Sequence, residues 1–300
     1  MKLGVLGAGP WGRALYGLAK AAGNDPLLGH RNHAPDGFAS TDDPARLGAH
    51  ADLIALAVPP SAVRGALGAL GLTSRHRVLL ISRGFDPVSG QWLSQLVTHA
   101  SPVLRVGVLA GPGVATELLE GLPGAGVVAS PFTDVCRLTQ QALHSGRFRV
   151  YPSQDLRGVE LAGAAMEILA LAVGIVDGLE LGAGLRGIVM ARGLAEAARL
   201  ADALGADGRT LGGLVGVGEL VAATSSPEHR AYAGGRALAV GGDVGRTEAV
   251  DTARAALVLA GEHGIELPLC QAVAAIGSGR LSPQDAIQRL MERAAPTDES

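Results

Sequence analysis

Short apolar runs punctuate the first half of the chain, at residues 3–6, 53–58, 78–81, 103–109, 126–129 and 148–151. None of them alternates polar with apolar positions, so each predicts a strand covered on both faces, as in a parallel sheet. Another strand is read in the stretch 26–32. Helical segments of ten or more residues lie between the runs, the arrangement of βαβ units. The 53–58 run meets Pro59-Pro60. Neither proline can continue a ladder, so the strand is expected to stop there.

From Asp155 the texture changes. Residues 158–175, 186–204, 247–264 and 282–294 carry helical apolar spacing, and no strand-like run recurs. The pattern therefore predicts two domains, 1–153 and an all-helical 154–300, with no internal repeat. Ser282-Pro283-Gln284-Asp285 reads as a helix start, with Ser as N-cap, Pro at the first helical position and an acid in the first turn. Residues 296–300 are expected to form a loose tail.

Composition narrows the partners. At 48% hydrophobic, 18% charged and a mean hydropathy of +0.29, the chain can bury a large core and is not expected to be disordered. The apolar stretch 161–176 is short for a membrane span and carries Glu167. The opening MKLGVLGAG lacks the pattern of a signal peptide. A net charge of -3 argues against nucleic acid or an anionic membrane as partner. Cys136 and Cys270 stand apart from each other and from any histidine cluster. Neither a disulfide framework nor a zinc site is expected, and a cytoplasmic location follows. Of the 25 cationic residues only Lys2 and Lys20 are lysines. Codon bias accounts for that scarcity, yet it leaves lysine chemistry available at two positions alone.

Gly7-Ala8-Gly9-Pro10-Trp11-Gly12 is a G-x-G-x-x-G placed just after the first strand and opening a helix. Gly7 permits the tight turn and Gly9 lets a pyrophosphate approach the backbone. Gly12 lets helix and strand pack closely, with Pro10 and Trp11 between them in the cofactor loop. An acid at the end of the second strand would bind the ribose of NAD; His30 and Arg31 stand there instead. Arg31 suits a 2′-phosphate, which leaves NADP or NAD as the cofactor with a lean to NADP.

Motifs along nearly the whole chain resemble the NAD(P)-dependent glycerol-3-phosphate dehydrogenase family. They are the glycine loop with Arg13-Ala14-Leu15, Ala57-Val58-Pro59-Pro60, and Leu109-Ala110-Gly111-Pro112-Gly113-Val114-Ala115. Phe148-Arg149-Val150-Tyr151, Gly158-Val159-Glu160-Leu161, Arg192-Gly193-Leu194-Ala195-Glu196 and Leu204-Gly205-Ala206-Asp207 follow in order. The resemblance implies an N-terminal Rossmann-type, doubly wound parallel sheet followed by an all-helical C-terminal substrate domain. It implies hydride transfer between the nicotinamide and C2 of dihydroxyacetone phosphate, a phosphorylated small-molecule substrate; the apolar helical half, in turn, favours a homodimer. It also places Pro59 and Ala115 beside the cofactor and Gly111 beside the substrate.

The chain departs from the family where chemistry is expected. Met166 occupies the place of the family's proton-delivering lysine and Glu167 that of the following asparagine. A thioether has no proton to give. Arg83 stands where the family has a second lysine, keeping the charge but not the titratability. Glu219 takes the place of a family aspartate. His229-Arg230 is what remains of the phosphate-gripping S-R-N-R-R cluster. The catalytic candidates are therefore Arg83, Glu167 and Glu219, with Gly111, His229 and Arg230 for the substrate and Asp177 as a pocket-bracing position. Three readings stay open: a glycerol-3-phosphate dehydrogenase with a replaced proton donor, a dehydrogenase of another small hydroxy compound, and a non-catalytic dinucleotide-binding protein.

Overall fold

The computed structural model describes residues 1–242 and 247–292. The apolar runs become one eight-stranded sheet: β1 (Lys2–Leu6), β2 (Asp25–Gly29), β3 (Ser40–Thr41), β4 (Leu53–Leu56), β5 (Arg77–Leu80), β6 (Arg105–Ala110), β7 (Gly124–Ala129) and β8 (Phe148–Ser153). Between them run α1 (Pro10–Ala21), α2 (Pro44–His50), α3 (Pro60–Ala69), α4 (Leu93–Ala100), α5 (Ala115–Leu119) and α6 (Thr133–Leu143). The helices α7 (Leu156–Gly178), α8 (Gly182–Ala203), α9 (Glu219–Ser225), α10 (Arg230–Ala239), α11 (Glu248–Glu262), α12 (Pro268–Gly277) and α13 (Pro283–Glu292) follow. No strand follows β8 among the described residues.

The strand order is β3-β2-β1-β4-β5-β6-β7-β8. The chain leaves β1 in one direction, returns, and continues from β4 on the other side. That reversal is the switch point outside whose strand ends open α/β sheets bind ligands. Neighbouring strands are parallel except β6 and β7, which run antiparallel. The doubly wound parallel sheet expected from the sequence is present, and the one antiparallel pair has a plain reason. A parallel return needs a long crossover, and the five-residue α5 is too short to carry the chain back to the starting edge.

Both faces of the sheet are covered, as the unbroken apolar runs imply. Leu3, Val5, Leu53 and Ala55 pack with α1 and α6, whereas Ile54, Leu56, Val78 and Leu80 pack with α3, α4 and α7. The 53–58 strand ends two residues early, at Leu56, because Pro59 and Pro60 serve as N-cap and first residue of α3. The strand in the 26–32 stretch ends at Gly29. That leaves His30 and Arg31 in the following loop.

Among the helices, α7 lies at the centre. It is long and apolar enough to cross a membrane, but 94% of its most apolar window is buried inside the protein. Its partner α10 crosses at backbone contact: a Cβ on Gly174 would lie 2.2 Å from the Tyr232 carbonyl oxygen, and one on Gly235 would lie 2.1 Å from that of Leu171. Helices α9, α10 and α12 lie outside the helical stretches read from the sequence. They are short and rich in Ala and Gly, so they carry little helical periodicity. Ser282 caps α13 as expected, its Oγ accepting the Asp285 N–H at 3.0 Å. Residues 293–294 of the last expected helix and the tail at 296–300 lie outside the described residues.

Candidate active site

Three strand ends meet around the glycine loop. The Gly7 N–H donates to the Gly29 carbonyl at 3.0 Å, and the Ala57 N–H to that of Leu6 at 2.8 Å. Gly7 has φ +112, and a Cβ there would stand 2.3 Å from the Ala57 carbonyl oxygen. A Cβ on Gly12 would be 1.7 Å from the Gly7 oxygen, so only glycine lets α1 approach β1 this closely. Gly9 has no atom within 4 Å of a Cβ position, which leaves clear space above the loop. It is also the N-cap of α1 and brings no side chain to the first-turn amides, and Pro10 begins the helix. Unfilled amides at a positive helix end, with open space in front, fit a pyrophosphate. Trp11 lies against Gly113, whose Cβ would come within 3.1 Å of the indole. Ala115 opens α5 just beyond, and Pro59 caps α3 across the crevice.

A buried charge cluster lies farther along the strand ends. Arg83 follows β5, and its stem lies against α7 at Gly163, where a Cβ would be 3.6 Å from the Arg83 Cγ. Four residues on along the same helix face, Glu167 Oε1 accepts from Arg83 Nη1 at 3.0 Å. Glu219 Oε1 contacts the same nitrogen. Its Oε2 accepts the Gly111 N–H at 2.9 Å, at the end of β6. Gly111 has φ +138, which keeps other residues out. Among the described residues Arg83 uses only Nη1; Nε and Nη2 make no hydrogen bond.

Two carboxyls against one guanidinium leave one negative charge in excess in a place water hardly reaches. Burial, opposed by Arg83 and reinforced by Glu167, pushes the Glu219 carboxyl up to about 7. Burial works against the Arg83 charge, but Glu219 and Glu167 outweigh it and raise its pKa further. The group therefore stores a proton near neutrality, on a carboxyl and not on the cation.

His229 is the N-cap of α10 and sets its Nε2 3.9 Å from Glu167 Oε1. Its Nδ1 is buried without a partner among the described residues. Burial lowers its pKa, with Arg83 and Arg230 adding to the effect and Glu167 opposing it. Arg230 is largely exposed and reaches Glu248 at 3.4 Å. Met166 is 1% exposed within the apolar core. Asp177 stands apart from the cluster, ten residues beyond Glu167 and thus roughly 15 Å along α7. There it accepts from Arg186 at 3.0 Å and from the Tyr232 hydroxyl at 2.8 Å, tying α7, α8 and α10 together beside a separate open hollow.

Neither Gly84 nor Glu248 was given a role from the sequence. Gly84 has φ +94, and a Cβ there would meet Thr252 Oγ1 at 2.6 Å, so the Arg83 turn is seated on α11. Glu248 is the first residue of α11, and burial raises its carboxyl, with Glu167 adding to the effect. A Ser-Arg-Gly after a strand and an acid just after the capping Thr247 were the available signals.

The family model described as NAD-dependent glycerol-3-phosphate dehydrogenase N-terminus matches residues 24–136, and that of the C-terminus matches 155–288. The chain is 37% identical to the glycerol-3-phosphate dehydrogenase [NAD(P)+] of Synechococcus sp. (strain RCC307), covering 98% of each. It is equally 37% identical to that of Alkalilimnicola ehrlichii, covering 97% of each. The crystal structure of glycerol-3-phosphate dehydrogenase from Coxiella burnetii superposes with a TM-score of 0.88 at 30% identity, over 97% of this chain and 99% of that one.

Proposed function

The chain belongs to the NAD-dependent glycerol-3-phosphate dehydrogenase family, and we propose that it performs the family's reaction with a proton held between two carboxyls instead of on a lysine. Its activity is the NAD(P)-dependent interconversion of sn-glycerol 3-phosphate and dihydroxyacetone phosphate. The single observation behind the proposed donor is the contact of Glu167 and Glu219 with the same Arg83 nitrogen.

Gly7, Gly9, Pro10, Trp11 and Gly12 would hold the dinucleotide, whose nicotinamide supplies or takes the hydride at C2. The remaining work falls to side chains. The free Nε and Nη2 of Arg83 polarise the substrate carbonyl as a fixed cation. As the hydride adds to C2, the carbonyl electron pair moves to oxygen, which takes its proton from the carboxyl pair that flanks Arg83. Glu219 shares that proton store, and His229 refills it from water. Arg230 leaves Glu248 to hold the phosphate, so a single arginine does the work of a cluster. Glycerol 3-phosphate oxidation runs the same path backwards, with the carboxyl pair accepting the proton.

Residues 1–153 form the cofactor domain in this reading and 154–300 the substrate domain. The net charge of -3 and the burial of α7 support a cytoplasmic enzyme without nucleic-acid or membrane partners. The large apolar helical half supports a homodimer. To test the donor, Glu167→Gln and Glu219→Gln should each lower kcat for dihydroxyacetone phosphate by about 10²–10⁴, the range for loss of a general acid, with NADPH binding unchanged. Full activity in both variants would rule the pair out.

A further inference from the structure

Arg13 follows the third glycine of the loop, within the first turns of α1. It is half-buried, its Nε is wholly buried, and among the described residues it has neither a hydrogen-bond partner at Nε nor an ion pair. A buried N–H donor without an acceptor is costly, and among the described residues none is supplied to the Arg13 Nε.

Helix periodicity locates the side chain. Arg13 shares a face with Gly9, four residues before it, and with Tyr16, three residues after. Gly9 opens onto the empty space above the loop. Tyr16 fixes the β2–β3 loop, its hydroxyl accepting the Ala39 N–H at 3.0 Å and its ring meeting Phe38 edge-on at 4.9 Å. Arg13 therefore stands between the cofactor groove and the loop that follows β2.

That loop begins with a second unsatisfied group. His30 donates its backbone N–H to Thr41 at 3.0 Å, while its Nδ1 is buried and has no partner among the described residues. The Gly7–Gly29 hydrogen bond holds this end of β2 against the glycine loop. From His30 the loop runs Arg31, Asn32, His33, Ala34 and Pro35 before its first acid, Asp36, which is exposed. A ribose 2′-hydroxyl calls for a carboxylate acceptor at this place, and a phosphate monoester calls for cations and ring N–H donors.

We propose that Arg13 is a cofactor-specificity residue, gripping the 2′-phosphate of NADP from the helix side while His30 and Arg31 meet it from the strand side. The proposal rests on the reading of the glycine loop as a dinucleotide site. It goes beyond that reading by assigning the preference for NADP to a residue inside α1, a place that phosphate selection by the strand-end loop alone would not use.

Adenosine 2′,5′-bisphosphate and 5′-AMP differ by the one phosphate in question, and calorimetric titration of each onto the full chain isolates it. The unmodified protein should bind the bisphosphate at least tenfold more tightly than 5′-AMP. Arg13→Ala should weaken the bisphosphate by about 10- to 100-fold and leave 5′-AMP within about twofold. Arg13→Gln keeps part of the aliphatic stem and should show the same loss, which separates charge from folding. A third arm with inorganic phosphate alone should show only weak binding, because the site recognises the phosphate on its nucleoside. An unchanged bisphosphate preference in both variants would overturn the role of Arg13. Failure of the unmodified protein to bind either nucleotide would overturn the dinucleotide reading, and the proposal with it.

Discussion

Met166 and Glu167 are neighbours on one helix with opposite surroundings. Met166 is 1% exposed in the core, whereas Glu167 meets Arg83 and faces His229. The thioether is thus a packing group. Met166→Leu, nearly volume-conserving, should cost less than about 1.5 kcal/mol in stability and leave kcat within about twofold. A tenfold loss of kcat in a folded Met166→Leu protein would put the sulfur back into the chemistry. The absence of lysine at this position was legible in the sequence, as was the cation at Arg83. Glu167 and Glu219 were legible as candidates too; their meeting was not, because they lie on α7 and α9, and only the tertiary fold sets both on one nitrogen.

At the scale of elements, carboxyls also act as helix caps between distant segments. Glu160 of α7 accepts the Ser94 N–H at 2.9 Å and the Ser94 hydroxyl at 2.6 Å, closing the N-terminus of α4. Glu196, the last residue of the R-G-L-A-E motif, accepts the Leu269 N–H at 3.0 Å and caps α12 in the same way. Burial, partly offset by Ser94, pushes Glu160 up to about 7 from an ordinary 4.5. A folded-state pKa above the unfolded value gives stability that is full below about pH 4.5 and lost as pH rises through about 7. Melting temperature should therefore fall between pH 5 and 8. Glu160→Gln keeps an acceptor and a donor for Ser94, and should remove up to about 3 kcal/mol of that dependence. An identical pH slope in the variant would mean the carboxyl is not the titrating group. Strands and long helices were legible because burial on two faces, or on one stripe, leaves a period. The antiparallel β6–β7 pair and the glycine-rich α10 were not, since a short connection and backbone contacts leave none.

Across the whole molecule, the site is assembled where the sheet and the helical half meet. The end of β6 supplies the Gly111 N–H, the turn after β5 supplies Arg83, and α7, α9 and α10 supply Glu167, Glu219 and His229. In the proposed mechanism, one cation against two carboxyls in a buried place sets the pH range over which the site donates. The pH dependence of kcat for dihydroxyacetone phosphate reduction, at saturating NADPH, reads that directly. With the proton on the carboxyl pair, the rate should fall as pH rises through about 7, and Glu219→Gln should remove that fall. A rate that stays level to about pH 10, as an ammonium donor would give, would contradict a carboxyl-held proton.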